Sequence, residues 1–201
     1  MANPNAPFGF RPWNQGSGGT PGRLNEYTLS TAYNTSLFDG DLVKTDGSGN
    51  LNIAAAGNQV VGVFHGVRYT ASDGSFVFKK NWIASTPEKA GTVITALVYD
   101  DPQQLYVVQS VGSMTAADIG QFCDVDTSVA GSAATGTSGQ QASATGGSET
   151  TFKIVDVIQA RDGMPCRNAA GNPDFFASGT NALVVVRAVK HEHNGIAVTE
   201  V

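Results

Sequence analysis

From Leu24 onward, apolar stretches of four to eight residues alternate with clusters of turn-forming residues. Leu37-Phe38 runs into Asp39-Gly40, Asp41 to Thr45 ends at Asp46-Gly47-Ser48-Gly49-Asn50, and Leu51-Asn52-Ile53 follows at once, a hairpin pattern. Val60 to Phe64 and Val67 to Thr70 form the next two runs, and Ser72-Asp73-Gly74 turns into Ser75 to Lys79. Thr92 to Tyr99 and Leu105 to Gln109 flank Asp100-Asp101-Pro102, where the proline cannot donate to a ladder. Phe152 to Ile158 and Ala182 to Val189 complete the set, and Asn194-Gly195 marks one more hairpin near the end. Short strands at near-regular spacing predict an all-β body, a compact barrel, β-tulip or sandwich. Helix is confined to one turn at Thr115 to Ile119, capped by Thr115 and stopped by Gly120.

Two segments break this pattern. Residues 1–24 carry Pro4, Pro7, Pro12 and Pro21 and the aromatics Phe8, Phe10 and Trp13, with no period of 2 or 3.6. They predict an extended N-terminal arm whose rings dock on the chain's own body or on a neighbouring molecule. Residues 127–151 hold 21 Ala, Gly, Ser or Thr in 25 positions. That composition fits a flexible linker or a low-charge excursion ordered against a partner. The expected organisation is thus an arm at 1–24 and one β-rich domain at 25–201 that contains the excursion.

Composition sharpens the picture. The 201 residues include 24 glycines and only 14% charged side chains, so the chain is turn-rich, yet its 41% hydrophobic content supports a core. Twelve Lys and Arg against 17 Asp and Glu, with Lys79-Lys80 the one adjacent basic pair, give little with which to neutralise phosphates, and nucleic-acid binding is not expected. No apolar run approaches the roughly 20 residues of a membrane-spanning helix. The N-terminal residues lack the basic and apolar regions of a signal peptide. Cys123 and Cys166 have no second pair, so neither a zinc ribbon nor a disulfide framework is readable.

Candidate chemistry is sparse. His191 and His193 at period 2 would share one side of a strand, but structural zinc takes four protein ligands and a solvated strand end is the plainer reading. Asp46, Ser48 and Asn50 open like a calcium loop, yet position twelve is Gly57 rather than a bidentate Glu, which leaves a hairpin turn. Asp100 and Asp101 would point to opposite faces of a strand and make a turn before Pro102 rather than a proton-sharing dyad. No nucleophile elbow, phosphate loop or dinucleotide fingerprint is present in the sequence, and neither a cofactor nor a catalytic role is expected.

One set of residues resembles a known family. Met1-Ala2-Asn3-x-x-Ala6-Pro7-Phe8-Gly9-Phe10-Arg11-Pro12 is similar to the start of small capsid-associated proteins of tailed bacteriophages. The resemblance extends to Asn25-Glu26-Tyr27, Gly40 to Lys44, Gly62-Val63-Phe64-x-Gly66-Val67-x-Tyr69, Trp82 and Tyr99 to Pro102. These stretches resemble decoration or cement proteins, and the likeness is clearest over residues 1 to about 110. It implies a β-barrel or β-tulip body similar to lambda-type head decoration proteins. It also implies trimers or dimers bound to the major capsid protein on the exterior of the head, assembled in the host cytoplasm.

The leading expectation is a structural virion protein whose Phe8, Phe10, Arg11 and Trp13 contact neighbouring molecules, Arg11 through a carboxylate. The main alternative is a head-fibre or glycan-binding module in which Tyr27, Tyr33, Tyr69 and Trp82 would stack on sugars. A virion hydrolase comes third, with no catalytic constellation to support it.

Overall fold

The computed structural model describes residues 4–15, 22, 24–31, 33–143, 145, 151–158 and 179–194. In chain order the strands are β1 (Arg11–Gln15), β2 (Leu24–Leu29), β3 (Leu37–Phe38), β4 (Leu42–Thr45), β5 (Leu51–Ile53) and β6 (Gly62–Thr70). They continue with β7 (Phe76–Lys79), β8 (Asn81–Trp82), β9 (Ile94–Tyr99), β10 (Gln104–Gln109), β11 (Ser113–Met114) and β12 (Phe122–Cys123). Last come β13 (Val125–Asp126), β14 (Gln141–Ala142), β15 (Phe152–Val157), β16 (Gly179–Thr180) and β17 (Leu183–Ala188). The only helical elements among the described residues are two single 3-10 turns, one of them Ala116–Asp118, where Thr115 and Asp118 form a reciprocal capping box.

The chain is therefore all-β, built from antiparallel sheets. The first sheet runs β1-β10-β17-β15-β12, and the second runs β2-β9-β6-β4-β5 with β7 also paired to β6. Neither sheet closes on itself among the described residues: β1 and β12 are the two edges of the first sheet and do not meet, so a closed barrel is not formed. Three two-strand ribbons, β3-β8, β11-β16 and β13-β14, complete the pairing.

Turn chemistry sets the registers. Asp46 accepts from the amides of Ser48 and Asn50 (2.8 and 2.9 Å) and fixes the β4–β5 hairpin, which is what the Asp-Gly sequence predicts. Asp73 does the same between β6 and β7 through the Ser75 amide (2.8 Å). The Asp101 carboxylate accepts from Gln103 and its carbonyl from Gln104, making the turn from β9 to β10. The runs Val60–Phe64 and Val67–Thr70, expected to be separate, are joined in β6, where an irregularity between Phe64 and Gly66 shifts the register against β9. Such a bulge bends a strand without ending it.

Among the described residues the core forms two hydrophobic clusters. The first contains Phe10, Tyr106, Val108, Phe152, Ile154, Val184 and Val186; the second contains Leu37, Phe64, Val67, Tyr69, Trp82, Ile94 and Val98. The second sheet serves both, because adjacent residues of a strand face opposite sides. Leu42, Val60 and Val63 enter the first cluster and Tyr99 packs against it, while their neighbours Val43, Val61, Phe64 and Val98 enter the second. Trp82 lies edge-on to Tyr69 (centroids 5.3 Å apart) and donates its indole N–H to the Tyr33 carbonyl (3.0 Å).

Gly62 lies at this seam. A Cβ there would sit 1.9 Å from the Tyr99 carbonyl oxygen, whereas Gly47, in the β4–β5 turn, has open space around it. Gly62→Ala is expected to lower stability by about 2–3 kcal/mol or more, and Gly47→Ala to stay within about 0.5 kcal/mol. Urea denaturation of the two variants checks the contrast.

Candidate interaction surface

The turn Phe38–Asp41 is the point on which three separate parts of the chain converge. It rests on β6 through Gly40 N–H to the Phe64 carbonyl (2.9 Å) and Phe64 N–H to the Asp41 carbonyl (2.8 Å). The N-terminal segment crosses it, with Phe10 N–H donating to the Gly40 carbonyl (2.9 Å). Gly9 and Gly40 both have positive φ (75° and 100°), and a Cβ on Gly9 would lie 2.5 Å from Ser138 Cβ. Only glycine allows backbones this close in this conformation.

Residues 136–140 close over the other side of the same turn. Asp39 N–H donates to the Gly136 carbonyl and Ser138 N–H to the Asp39 carbonyl, each at 3.0 Å, and the Ser138 hydroxyl donates to Asp41 Oδ1 (2.6 Å). Gln140 Oε1 accepts from Leu42 N–H (2.8 Å). Part of the Ala/Gly/Ser/Thr stretch, residues 136–143, is thus packed against its own chain and is not a loose linker there. A shallow cleft of about 310 Å³ between Pro7 and residues of 129–139 is walled by small neutral side chains and carries no ionisable group.

Charged side chains also meet at this junction. Arg11 forms an ion pair with Asp39, and His65 Nδ1 lies 3.2 Å from the other carboxylate oxygen. Burial works against ionisation of Asp39, but the hydrogen bonds from His65 and Arg11 outweigh it and hold its carboxyl below the usual carboxylate range. Two residues on, burial dominates at Asp41 and pushes its carboxyl up to about 6, against the donors Ser138 and Phe38. The His65 ring in turn packs against Tyr99 (5.2 Å).

The expected contact residues separate at this point. Phe10 is fully buried and stacks on Phe152 at 5.1 Å inside the first cluster, which corrects the expectation that it meets a neighbour: Phe10 and Pro12 alternate with Arg11 and Trp13 along the strand, and the even side faces the core. Arg11 finds its carboxylate within the chain, and Phe8 is half-buried beside the turn. Trp13 alone of the four stays largely open, at 54% exposure.

Other open apolar side chains were not legible as contacts. Phe76 (72% exposed) and Phe78 (58%) lie on β7, and Val93 is exposed just before β9; Phe122 and Val155 are exposed on the first sheet. The signal available was Phe-Val-Phe, apolar on both faces of one short strand, which implies a second covered face. Tyr69 and Trp82 are buried, Tyr27 donates to Asp100 (2.7 Å) and Tyr33 to Asn52 (2.8 Å), so these four do not form an open stacking platform.

The expected solvated strand end at His191 is also corrected. His191 is buried, bridges to Val60, and accepts the His193 amide at Nδ1 (3.1 Å), because Val60 and Lys190 pair there and draw the segment onto the core. Burial and the neighbouring His193 push its imidazole down to about 4. Among the described residues no group of three His, Cys, Asp or Glu could hold a metal ion. Cys123 is buried in the first cluster; Cys166, the Asn194-Gly195 hairpin and residues 146–150 fall wholly or partly outside the described residues. Comparison of the whole chain with protein-family models, with curated proteins and with solved structures finds no match.

Asp41 and His191 give opposite pH dependences. Asp41 binds its proton more tightly when folded, so its contribution is fully present below about 4 and is lost as pH rises toward 6. His191 resists protonation when folded, so its contribution is fully present above about 6.5 and is lost as pH falls toward 4. The two slopes oppose each other between pH 4 and 6. Asp41→Asn is expected to make stability fall more steeply on acidification, and His191→Gln to make it fall more steeply from pH 4 to 6. Denaturation midpoints measured across that range check both, and profiles parallel to the wild type would contradict the assignment.

Proposed function

We propose that this chain is a structural protein of a tailed-bacteriophage virion that binds the outer surface of the assembled head and bridges neighbouring subunits of the major capsid protein. The observation that carries the reading is the placement of open apolar side chains on both sheets, Trp13, Phe122 and Val155 on the first and Phe76 and Phe78 on the second. A chain joined through shared clusters and carrying two adhesive faces can hold two subunits at once. The resemblance of residues 1–12 and of the stretches up to Pro102 to decoration proteins supports the same reading.

In this reading the open first sheet around its cluster serves as a β-tulip-like body, and the chain works without a cofactor or a catalytic step. A ligand that binds only the assembled shell stabilises it by mass action, which is all that capsid reinforcement requires. Few charges need to be desolvated when so weakly charged a surface is covered.

The test uses heads of the encoding phage produced without this protein, to which purified protein is added and bound protein counted by co-sedimentation. Wild type is expected to bind saturably, and Trp13→Ala to weaken binding by about 10- to 100-fold, as for an exposed aromatic anchor. Phe10→Ala is expected instead to cost about 3–5 kcal/mol of folding stability. Failure of the wild type to bind heads, with strong selective hits on a glycan array, would move the assignment to a head-fibre or receptor-binding module.

A further inference from the structure

β7 forms the outer edge of the second sheet beyond β6, and among the described residues no other strand pairs with it. The phase of the ladder decides what this edge presents. Ala71 N–H donates to the Ser75 carbonyl (2.8 Å), which makes 71 and 75 a hydrogen-bonded pair. Such pairs alternate along an antiparallel ladder, so Tyr69/Val77 is bonded while Thr70/Phe76 and Arg68/Phe78 are not. The amide and carbonyl of Phe76 and of Phe78 therefore point away from β6, toward the open side. The same two residues carry the most exposed phenylalanine rings among the described residues, on the face opposite Val77, which packs on the second cluster.

We propose that β7 pairs with β7 of a second copy of this chain, antiparallel, about a two-fold axis passing through Val77. Val77 must face the apolar interior in both copies, so residues of like parity oppose each other, and centring on Val77 sets Phe76 against Phe78 of the second copy. Those are the residues whose backbone groups are free, and each such pair exchanges two bonds, four in all across the axis. The side chains complement one another as well. Lys79 lies opposite Ser75 of the second copy and diagonal to its Asp73, within reach of a lysine, and the symmetry repeats the contact. Asp73 is exposed and already oriented by the Ser75 amide and hydroxyl (2.8 and 2.6 Å). Four partly open rings bring together about 500 Å² of apolar surface, taking roughly 200 Å² per ring. That places the contact among small, exchanging interfaces rather than permanent ones. The pairing assigns to a second copy of the chain the rings of Phe76 and Phe78 that the proposed role on the phage head counts among its adhesive side chains, and it is tested on the purified protein alone.

Sedimentation equilibrium of the intact chain is expected to give a reversible dimer that dissociates in the micromolar range. Phe76→Ser/Phe78→Ser is expected to sediment as a monomer with an unchanged melting temperature; should that variant melt early, Lys79→Glu provides a change remote from the core with the same expected loss. Register is read by oxidation in a Cys166→Ser background: Val77→Cys is expected to cross-link to a covalent dimer, and Phe76→Cys and the background protein are not. A wild type that is monomeric throughout, or a trimer, overturns the proposal. So does a dimer that survives both sets of substitutions, or Phe76→Cys cross-linking as readily as Val77→Cys.

Discussion

The crossing of the N-terminal segment over the Phe38–Asp41 turn is the constraint on which the rest of the structure depends. Gly9 and Gly40 meet with no side chain between them, Ser138 closes the other side, and β6 supports the turn from below. Once this crossing is made, Phe10 is aimed into the first cluster and Arg11 onto Asp39. Downstream of Arg11 the chain becomes β1 and completes the first sheet beside β10. The same turn leads into Leu42-Val43, whose alternation places one side chain in each cluster. Local backbone contact and global packing are thus fixed by the same few residues.

The low charge of the chain gains meaning from how its acids are used. Asp39, Asp41, Asp100 and Asp124 are buried, and each is held by donors of its own chain. Asp100 takes two bonds from Asn25 and one from Tyr27, and Asp124 accepts the Thr151 amide. Buried carboxylates are tolerated because these donors replace water. Charge spent on internal junctions leaves a plainer exterior, on which Trp13, Phe76 and Phe78 stand out.

Much of the architecture was legible from alternation and turn chemistry. The strands at 94–99, 104–109, 152–157 and 183–188 fall where the apolar runs lie, and Asp46, Asp73 and Asp101 close the turns their sequences announce. What stayed hidden depends on contacts distant in sequence. Phe10 shows no period, because its partner Phe152 lies on another strand of the sheet it helps to cover. The stretch at 129–140 reads as a linker because its packing uses absent side chains: the Phe38 ring lies where a Cβ on Gly131 would be. His191 is indistinguishable in sequence from a solvated residue, since its burial comes from the bridge to Val60. Within the candidate surface, the sequence marks Trp13 only together with Phe8 and Phe10, and the Phe76-Val77-Phe78 run reads as an ordinary strand, because exposure of a ring depends on which face the sheet leaves open.

The central claim is that the open rings of the two sheets are contacts on a viral shell. A map of whole virions of the encoding phage at side-chain resolution tests it most directly. The account predicts this chain at regular positions on the outside of the head, with Trp13 and the Phe76–Phe78 face covered by neighbouring protein. Its absence from the shell lattice, or its presence there with those rings in open solvent, would contradict the account.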